Sequence, residues 1–335
     1  MKLFCRLTYF RLPRYAWWPA VIVPAVLFAF FNGCRPTVGR NAEVTFFIGS
    51  DLHFEQDADD STAIINKKMA RDMASLPGKR QPDTALKVPA PEFVVFTGDI
   101  TDHGGEGEWK AFTSIFGLNG QGAFPFLVYE GFGNHDGPSK DNPGNHVRNG
   151  IKARNSERSG IANVSENGLH YSWDRAGIHF VNLNSYPGNR WDPGCGWCHY
   201  FKGGYREPAF SLDFLKKDLK NSVGDSGRRV ILFFHYGLSG WSNEWWTQKE
   251  QDAFHSVIRD YNIIAIFHGH EHVVNHYRWR NIPVWCVGST QKSPKTGEYM
   301  VVHITDDQIK VTERKEGTWG KIYSVPLVPE LKKKT

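Results

Sequence analysis

At 335 residues, 40% of them apolar and 22% charged, the chain has material for one large α/β domain or two small ones, each with an ample core. Its formal net charge of +5 is carried by the N-terminus: Lys2, Arg6, Arg11, Arg14, Arg35 and Arg40 precede the first acid, Glu43, and taking these six from the 40 basic residues leaves 34 against 35 acidic ones. The body is therefore near neutral, which removes any electrostatic case for a nucleic-acid partner.

The chain opens as a targeting segment. A basic start from Met1 to Arg14 precedes an apolar run from Tyr15 to Phe31, interrupted by Pro19 and Pro24. Seventeen residues is short for a bilayer span and long for a signal-peptide core. Asn32-Gly33-Cys34 has a weak likeness to a lipoprotein processing site, so cleavage, lipidation at Cys34 and retention as an anchor all stay open. The basic flank favours a cytoplasmic N-terminus with the body exported. Residues 1–40 are thus read as signal peptide or membrane anchor with a linker, and 41–335 as the working domain, periplasmic, extracellular or tethered to a membrane.

The first strand, from Val44 to Gly49, runs into Asp51-Leu52-His53. On a strand those two side chains would share a face, because the pleat repeats every two residues. The acidic loop with Asp57, Asp59 and Asp60 reads as a solvated entry to a helix over 61–76, whose apolar period is Ile64, Ile65, Lys68, Met69, Asp72 and Met73, and which Pro77-Gly78 stops. A proline-bearing loop, 79–91, leads to a strand from Phe93 that ends at Gly98-Asp99. A helix over 106–116 presents Trp109, Phe112, Ile115 and Phe116. The third strand, from Phe126, ends at Gly133-Asn134-His135-Asp136, where clustered glycines imply backbone that positions side chains rather than filling a core.

Residues 147–158 form a polar, Arg-rich helix or loop. A hairpin follows, 169–173 with 178–183. Residues 186–207 are rich in Gly, Pro and aromatics and read as a functional surface loop. They include Cys195 and Cys198, which a disulfide, two free thiols, a redox pair or half a zinc site would each explain. A helix over 210–219 precedes the strand that delivers His235. The aromatic loop with Trp241, Trp245 and Trp246 either walls a substrate cleft or packs on itself, and a helix over 247–259 follows. The fifth strand, from Ile263, runs into Gly269-His270-Glu271-His272. Strands at 273–279, 282–287 (with Cys286 as a buried thiol), 300–304 and 308–314 close the chain. Alternating strands and helices followed by a meander predict two sheets packed face to face with helices outside, and donors gathered at strand carboxyl ends follow the rule for active sites of open sheets.

Asp51-x-His53, Gly98-Asp99-x-x-Asp102, Gly133-Asn134-His135-Asp136, His235 and Gly269-His270-x-His272, taken in that order over roughly Val44 to Ile304, resemble the calcineurin-like metallophosphoesterase superfamily. The resemblance implies a four-layer α/β sandwich, two mixed β-sheets flanked by helices, with a dinuclear metal site. By it, Asp51, His53 and His272 would hold one ion, Asn134, His235 and His270 the other, and Asp99 would bridge them. His135 would serve as proton donor or phosphate contact, oriented by Asp136, with Asp102 supporting the site from behind.

The residue types suit that chemistry on their own account. Two ions about 3.5–4 Å apart activate a hydroxide and clamp phosphate oxygens, and mixed carboxylate, imidazole and amide donors suit Mn, Fe or Zn better than Ca. The family's tyrosine-ligated purple members carry Tyr where Asp102 stands here, so a phenolate–Fe(III) centre is not expected. The expected activity is hydrolysis of a phosphomonoester or phosphodiester, on a small molecule or a lipid head group. The rival readings are a non-catalytic metal-binding module on the same fold and a thiol redox protein built on Cys195 and Cys198. Arg148, Arg154 and Arg190 are candidate phosphate contacts. His146, His170, His179, His199, His255, His268, His276 and His303 fall in no motif and are read as structural.

Overall fold

The computed structural model describes residues 43–55, 61–82, 87–121, 123–138, 141–192, 194, 209–239, 245–290 and 296–327. The leader with Cys34, the acids Asp57, Asp59 and Asp60, the Cys195–Cys198 pair, His199 and Trp241 lie outside these residues.

Two sheets carry the fold. In the first, β1 (Val44–Gly49), β2 (Phe93–Phe96) and β3 (Leu127–Glu130) run parallel, and β11 (Glu298–Ile304), β12 (Gln308–Lys315) and β13 (Thr318–Pro326) extend it antiparallel in the order β13-β12-β11-β1-β2-β3. The second has the order β4-β5-β6-β7-β8-β10-β9. Its centre, β6 (Ile178–Asn182), β7 (Arg229–Phe233), β8 (Asn262–His268) and β10 (Ile282–Cys286), is parallel. The hairpin partners β4 (Ile161–Val164) and β5 (Tyr171–Arg175) close one side, and β9 (Asn275–Trp279) the other.

Strand periodicity sorts the core into layers. Phe46 and Ile48 of β1, Phe93 and Val95 of β2 and Tyr129 of β3 face the other sheet, where they meet Trp173, Phe180, Phe233 and Phe267. The aromatics stack: Tyr129 and Trp173 lie with ring centroids 4.0 Å apart and planes 4° from parallel. The opposite faces pack on helices. Phe47, Val94 and Phe96 meet Met69 and Met73 of α1 (Ser61–Ser75) and Phe112 of α2 (Glu106–Ile115). Leu232 and Ile266 meet Leu215 of α4 (Ser211–Asp218, after α3, His146–Glu157) and Phe254 of α5 (Gln248–Ile258). Helix, sheet, sheet and helix make the expected four layers.

Register then sets the site. Gly49 pairs with Phe96 and Phe96 with Glu130, so three parallel strands end level with one another. Asn182 pairs with Phe233 and Phe233 with Phe267, which does the same in the second sheet. All five motif blocks begin just past these ends.

The fold departs from the sequence reading in three places. Ile64 is 43% exposed, and the buried face of α1 is Ile65, Met69 and Met73 with Thr62, Ala63, Asn66 and Ala70. The strands β4 and β13 are additional; both are edge strands, where one backbone edge and much of the side-chain surface meet solvent and the apolar alternation fades. Residues 146–157, left open between helix and loop, are helical as α3. Cys286 is buried as expected, and burial pushes its thiol well up. Among the described residues no helix is long and apolar enough to cross a membrane.

Candidate metal centre

The pleat does not bring Asp51 and His53 together. β1 ends at Gly49, and both residues lie beyond it in left-handed conformations, φ 53° and 44°. Asp99 (48°), His270 (73°) and His272 (55°) do the same. Asp and His tolerate this region better than most residues, yet each position costs about 1–3 kcal/mol and persists only where its surroundings over-determine it. Here they do. The segment 51–54 lies along 98–100 through Asp51 N to Gly98 O, His53 N to Asp99 O and Phe54 N to Ile100 O, at 3.0–3.1 Å. Ser289 Oγ donates to Asp51 O at 2.9 Å, and Asn66 Nδ2 to Leu52 O at 3.0 Å. The Asp51 carboxylate accepts the His270 amide, at 3.1 and 3.0 Å to its two oxygens. That approach requires Gly269: a Cβ there would stand 1.8 Å from Ser50 Oγ and 2.5 Å from Asp51 Oδ2.

The donors fall into two buried clusters that share one residue, Asp51, His53, Asp99 and His272 in one and Asp99, His235 and His270 in the other, with ligating atoms within 4.8 Å of one another in each. In the first, His53 Nε2 and His272 Nε2 face each other at 3.1 Å, His272 Nε2 is 3.2 Å from Asp51 Oδ1, and His53 Nε2 is 3.9 Å from Asp99 Oδ2. In the second, His235 Nε2 is 3.1 Å from Asp99 Oδ2 and 3.2 Å from Asn134 Oδ1. All seven residues named from the sequence are thus brought to one place.

Burial and mutual contact set the charges of these groups. Burial pushes the Asp51 carboxyl up, but the His272 and His235 rings outweigh it and hold it at about 2. Asp99, with burial opposed by His235 and His135, is held well below the usual carboxylate range. Burial pushes His235 down, and Asp99 with Asp51 lifts it to about 9. Burial and the neighbouring His235 push His270 well below its usual value. Ionised carboxylates that draw protons onto adjacent imidazoles form a site that cations would fill by displacing those protons. The donors, imidazole nitrogen with carboxylate and amide oxygen, fit first-row divalent ions.

Asp102 Oδ1 lies 2.8 Å from His53 Nδ1, which turns His53 Nε2 toward the cluster. It does not cap α2, whose first turn is closed by Glu108 Oε2 accepting from Gly105 N at 2.8 Å. His135 sits beside the clusters with 42% of its side chain exposed, its amide held by Asp99 Oδ1 at 2.8 Å and its Nδ1 2.8 Å from the Asp102 carbonyl.

Asp136 does not orient the His135 ring. Its buried carboxylate accepts from Gly133 N and Thr101 N at 2.8 Å, Thr101 Oγ1 at 2.8 Å and Ile100 N at 3.2 Å, and so ties the second motif block to the third. The hydrogen bonds of the carboxylate go to these loops, and the ring nitrogen Nδ1 of His135 meets the Asp102 carbonyl instead. Burial and Asp99 push the Asp136 carboxyl up to about 6.

Two of the arginines have other partners. Arg154 and Arg158 both bind the buried Glu130 carboxylate, and Arg190 lies over Phe210, its guanidinium 5.7 Å from the ring. Arg148 stacks on Phe132, two residues before Asn134, at 5.0 Å. Of the aromatic loop, Trp245 packs edge-to-face on His270 at 4.4 Å, as does Tyr236 from outside the loop at 4.8 Å. Asn66 and Ser289, which act on backbone atoms, fall in no motif, and Thr101, a variable position of the second motif block, donates to the Asp136 carboxylate.

A family model described as calcineurin-like phosphoesterase matches residues 44–274. A dimetal phosphatase from Danio rerio is similar in structure, with 15% identity and a TM-score of 0.58 over 84% of this chain and 98% of that one. So is GAP50, described as the anchor in the inner membrane complex of Plasmodium, at 11% identity and a TM-score of 0.53 over 87% and 90%. Identities this low speak for the fold alone. No curated protein matches the chain.

Proposed function

The chain belongs to the calcineurin-like phosphoesterase family, and on that premise we propose that it hydrolyses a phosphomonoester or phosphodiester at a dinuclear metal centre. The observation that supports this best is the sharing of Asp99 between two donor clusters, each completed by imidazoles. Asp51, His53 and His272 would hold one ion, Asn134, His235 and His270 the other. When bound, such a pair supplies an activated water nucleophile and positive charge against the phosphate.

The chain's own residues do the rest. Asp99 holds the two halves of the site together and fixes the His135 amide. With Nδ1 donating to the Asp102 carbonyl, His135 presents Nε2 outward, where it can hand a proton to the leaving oxygen. Asp136 keeps the loops bearing Asp99 and Asn134 in register.

The test is to strip the purified chain with EDTA, restore it with Mn²⁺, and follow p-nitrophenyl phosphate, bis-p-nitrophenyl phosphate and a panel of nucleotides, sugar phosphates and phospholipid head groups. The expected result is hydrolysis that is lost with the metal and regained with it, the relative rates separating monoesterase from diesterase. Metal uptake without turnover of any phosphoester would favour the non-catalytic module instead. The basic, apolar N-terminus supports export or tethering of this activity, which fractionation of cells expressing the full chain would check.

A further inference from the structure

The third and fourth motif blocks supply Asn134 and His235, whose donor atoms meet at 3.2 Å although they stand 101 residues apart in the chain. Between them lies Asn184, two residues past β6, 3% exposed and left-handed at φ 60°. Every polar atom of its side chain is engaged. Oδ1 accepts the Phe132 amide at 3.0 Å, and Nδ2 donates to Leu169 O at 2.9 Å and to His170 Nδ1 at 2.9 Å. The His170 ring is turned by this into one tautomer, its Nε2 donating to Ala209 O at 3.0 Å. The Asn184 carbonyl accepts the His235 amide at 2.8 Å, and Ser185 O accepts the Tyr236 amide at 2.9 Å. One residue thus holds the loop of Asn134 with its side chain and the loop of His235 with its backbone. None of its hydrogen bonds reaches the loops of Asp51, His53 or His272.

We infer that Asn184 is a positioning residue for one half of the centre: it sets the gap between Asn134 and His235, and with it the affinity for the ion those residues would share with His270, while leaving the Asp51–His53–His272 half alone. This rests on the dinuclear reading above and adds an asymmetry that reading does not contain. Glycine keeps the left-handed backbone at position 184 while deleting the side chain, so Asn184→Gly isolates the effect.

The experiment is Mn²⁺ titration of the stripped full chain by calorimetry, with electron paramagnetic resonance to detect the coupled Mn²⁺ pair. Wild type is expected to take two ions. In Asn184→Gly one ion should bind within about threefold of wild type and the other about 10–100-fold more weakly, the usual cost of losing a partner behind a metal ligand. The coupled signal should be absent at Mn²⁺ levels that saturate wild type. The surviving ion should vanish when His272→Ala is added, which assigns it. Asn184→Asp, which keeps an acceptor for Phe132 N but turns a second acceptor on Leu169 O, should recover only part of the loss. The control is Asn281→Gly, at another left-handed asparagine (φ 68°) in the β9–β10 turn, and should change nothing. If Asn184→Gly does not fold, Asn184→Ser, too short to span to Phe132 N, is read the same way. Two ions bound as in wild type, or both ions weakened alike, would overturn the inference. A wild-type chain that takes fewer than two ions would overturn the dinuclear reading, and this one with it.

Discussion

Asp99→Asn is the sharpest test of the shared carboxylate. The side chain is 1% exposed, with Oδ1 on the His135 amide at 2.8 Å and Oδ2 3.1 Å from His235 Nε2 and 3.9 Å from His53 Nε2. Asparagine keeps the size and an acceptor for that amide, so the loops need not move; only a unit of negative charge is lost. Two unit charges about 4 Å apart, in surroundings with an effective permittivity of about 20, attract by about 4 kcal/mol. Each ion at the centre should lose at least that, roughly a thousandfold in affinity at 1.4 kcal/mol per decade. After dialysis against micromolar Mn²⁺, metal analysis should find two ions in wild type and at most one in the variant. Hydrolysis of p-nitrophenyl phosphate should fall by about three orders of magnitude or more. Asp51→Asn, which touches the first cluster, should leave the other ion in place. If Asp99→Asn binds two ions and turns over substrate within about tenfold of wild type, the energy assigned to the shared carboxylate is wrong.

Three further outcomes follow. His135→Ala should keep both ions while slowing hydrolysis of alkyl phosphates by roughly 10²–10⁴, and of p-nitrophenyl phosphate by much less, because a good leaving group needs little protonation; equal losses on both would remove its proton-donor role. Glu130→Gln should lower the unfolding free energy in urea by about 3–5 kcal/mol, since it strands the Arg158 guanidinium, 1% exposed, and that of Arg154; a loss under about 1 kcal/mol would mean the cluster is not held by charge. The third concerns the buried His179 ring, which lies 2.7 Å from Asp174 Oδ1 and 2.8 Å from Asp218 Oδ2. Burial pushes it down, but those carboxylates lift it above its usual value. The stability it contributes is therefore complete below its unfolded value of about 6.5 and is lost as pH rises through the folded value. Asp174 is held low by His179 and Arg228 against its burial, and contributes above its own unfolded value of about 3.9. The stability gap between wild type and His179→Asn should thus be widest between about pH 4 and 6.5 and shrink above that; a gap constant with pH would refute the ion-pair account.

How much of this could be read from the residues alone depended on where the information sits. Val44–Gly49 and Asn262–His268 announce themselves, because strands buried on both faces must be apolar throughout. Thr318–Pro326 is under no such demand and reads as loop. The seven proposed ligands were legible because imidazole, carboxylate and amide groups after a strand have few structural uses. Asp136 was misread for a physical reason: in a tight loop, neighbours in sequence point opposite ways, and only coordinates show which. Asn184 could not be seen at all, since most of what it binds, the Phe132 and His235 amides and the Leu169 carbonyl, is backbone that every sequence offers.

Left-handed backbone at Asp51, His53, Asp99, His270 and His272 sets how three of the five motif blocks present their donors. Asp51 and His53, both left-handed, bring their donors into one cluster while Leu52 between them is fully buried. His270 and His272, also left-handed, divide between the two clusters, with Glu271 half-buried between them. The strain is of order 1–3 kcal/mol per residue, and a chain with these ligands on ordinary strand or helix backbone would fold more easily. On a helix, donors two residues apart would point to different faces. Glycine at these positions would relieve the strain and remove the donor. The centre is therefore built from residues that are tolerable rather than comfortable in that conformation, and Asp and His are among the ligand types that qualify. Its stability must come from the loops crossing it, through the Asp51, Asp99 and Asp136 carboxylates that bind backbone amides across the motif blocks. The side chains proposed to hold metal and the bonds that hold the loops are, for Asp51 and Asp99, the same atoms.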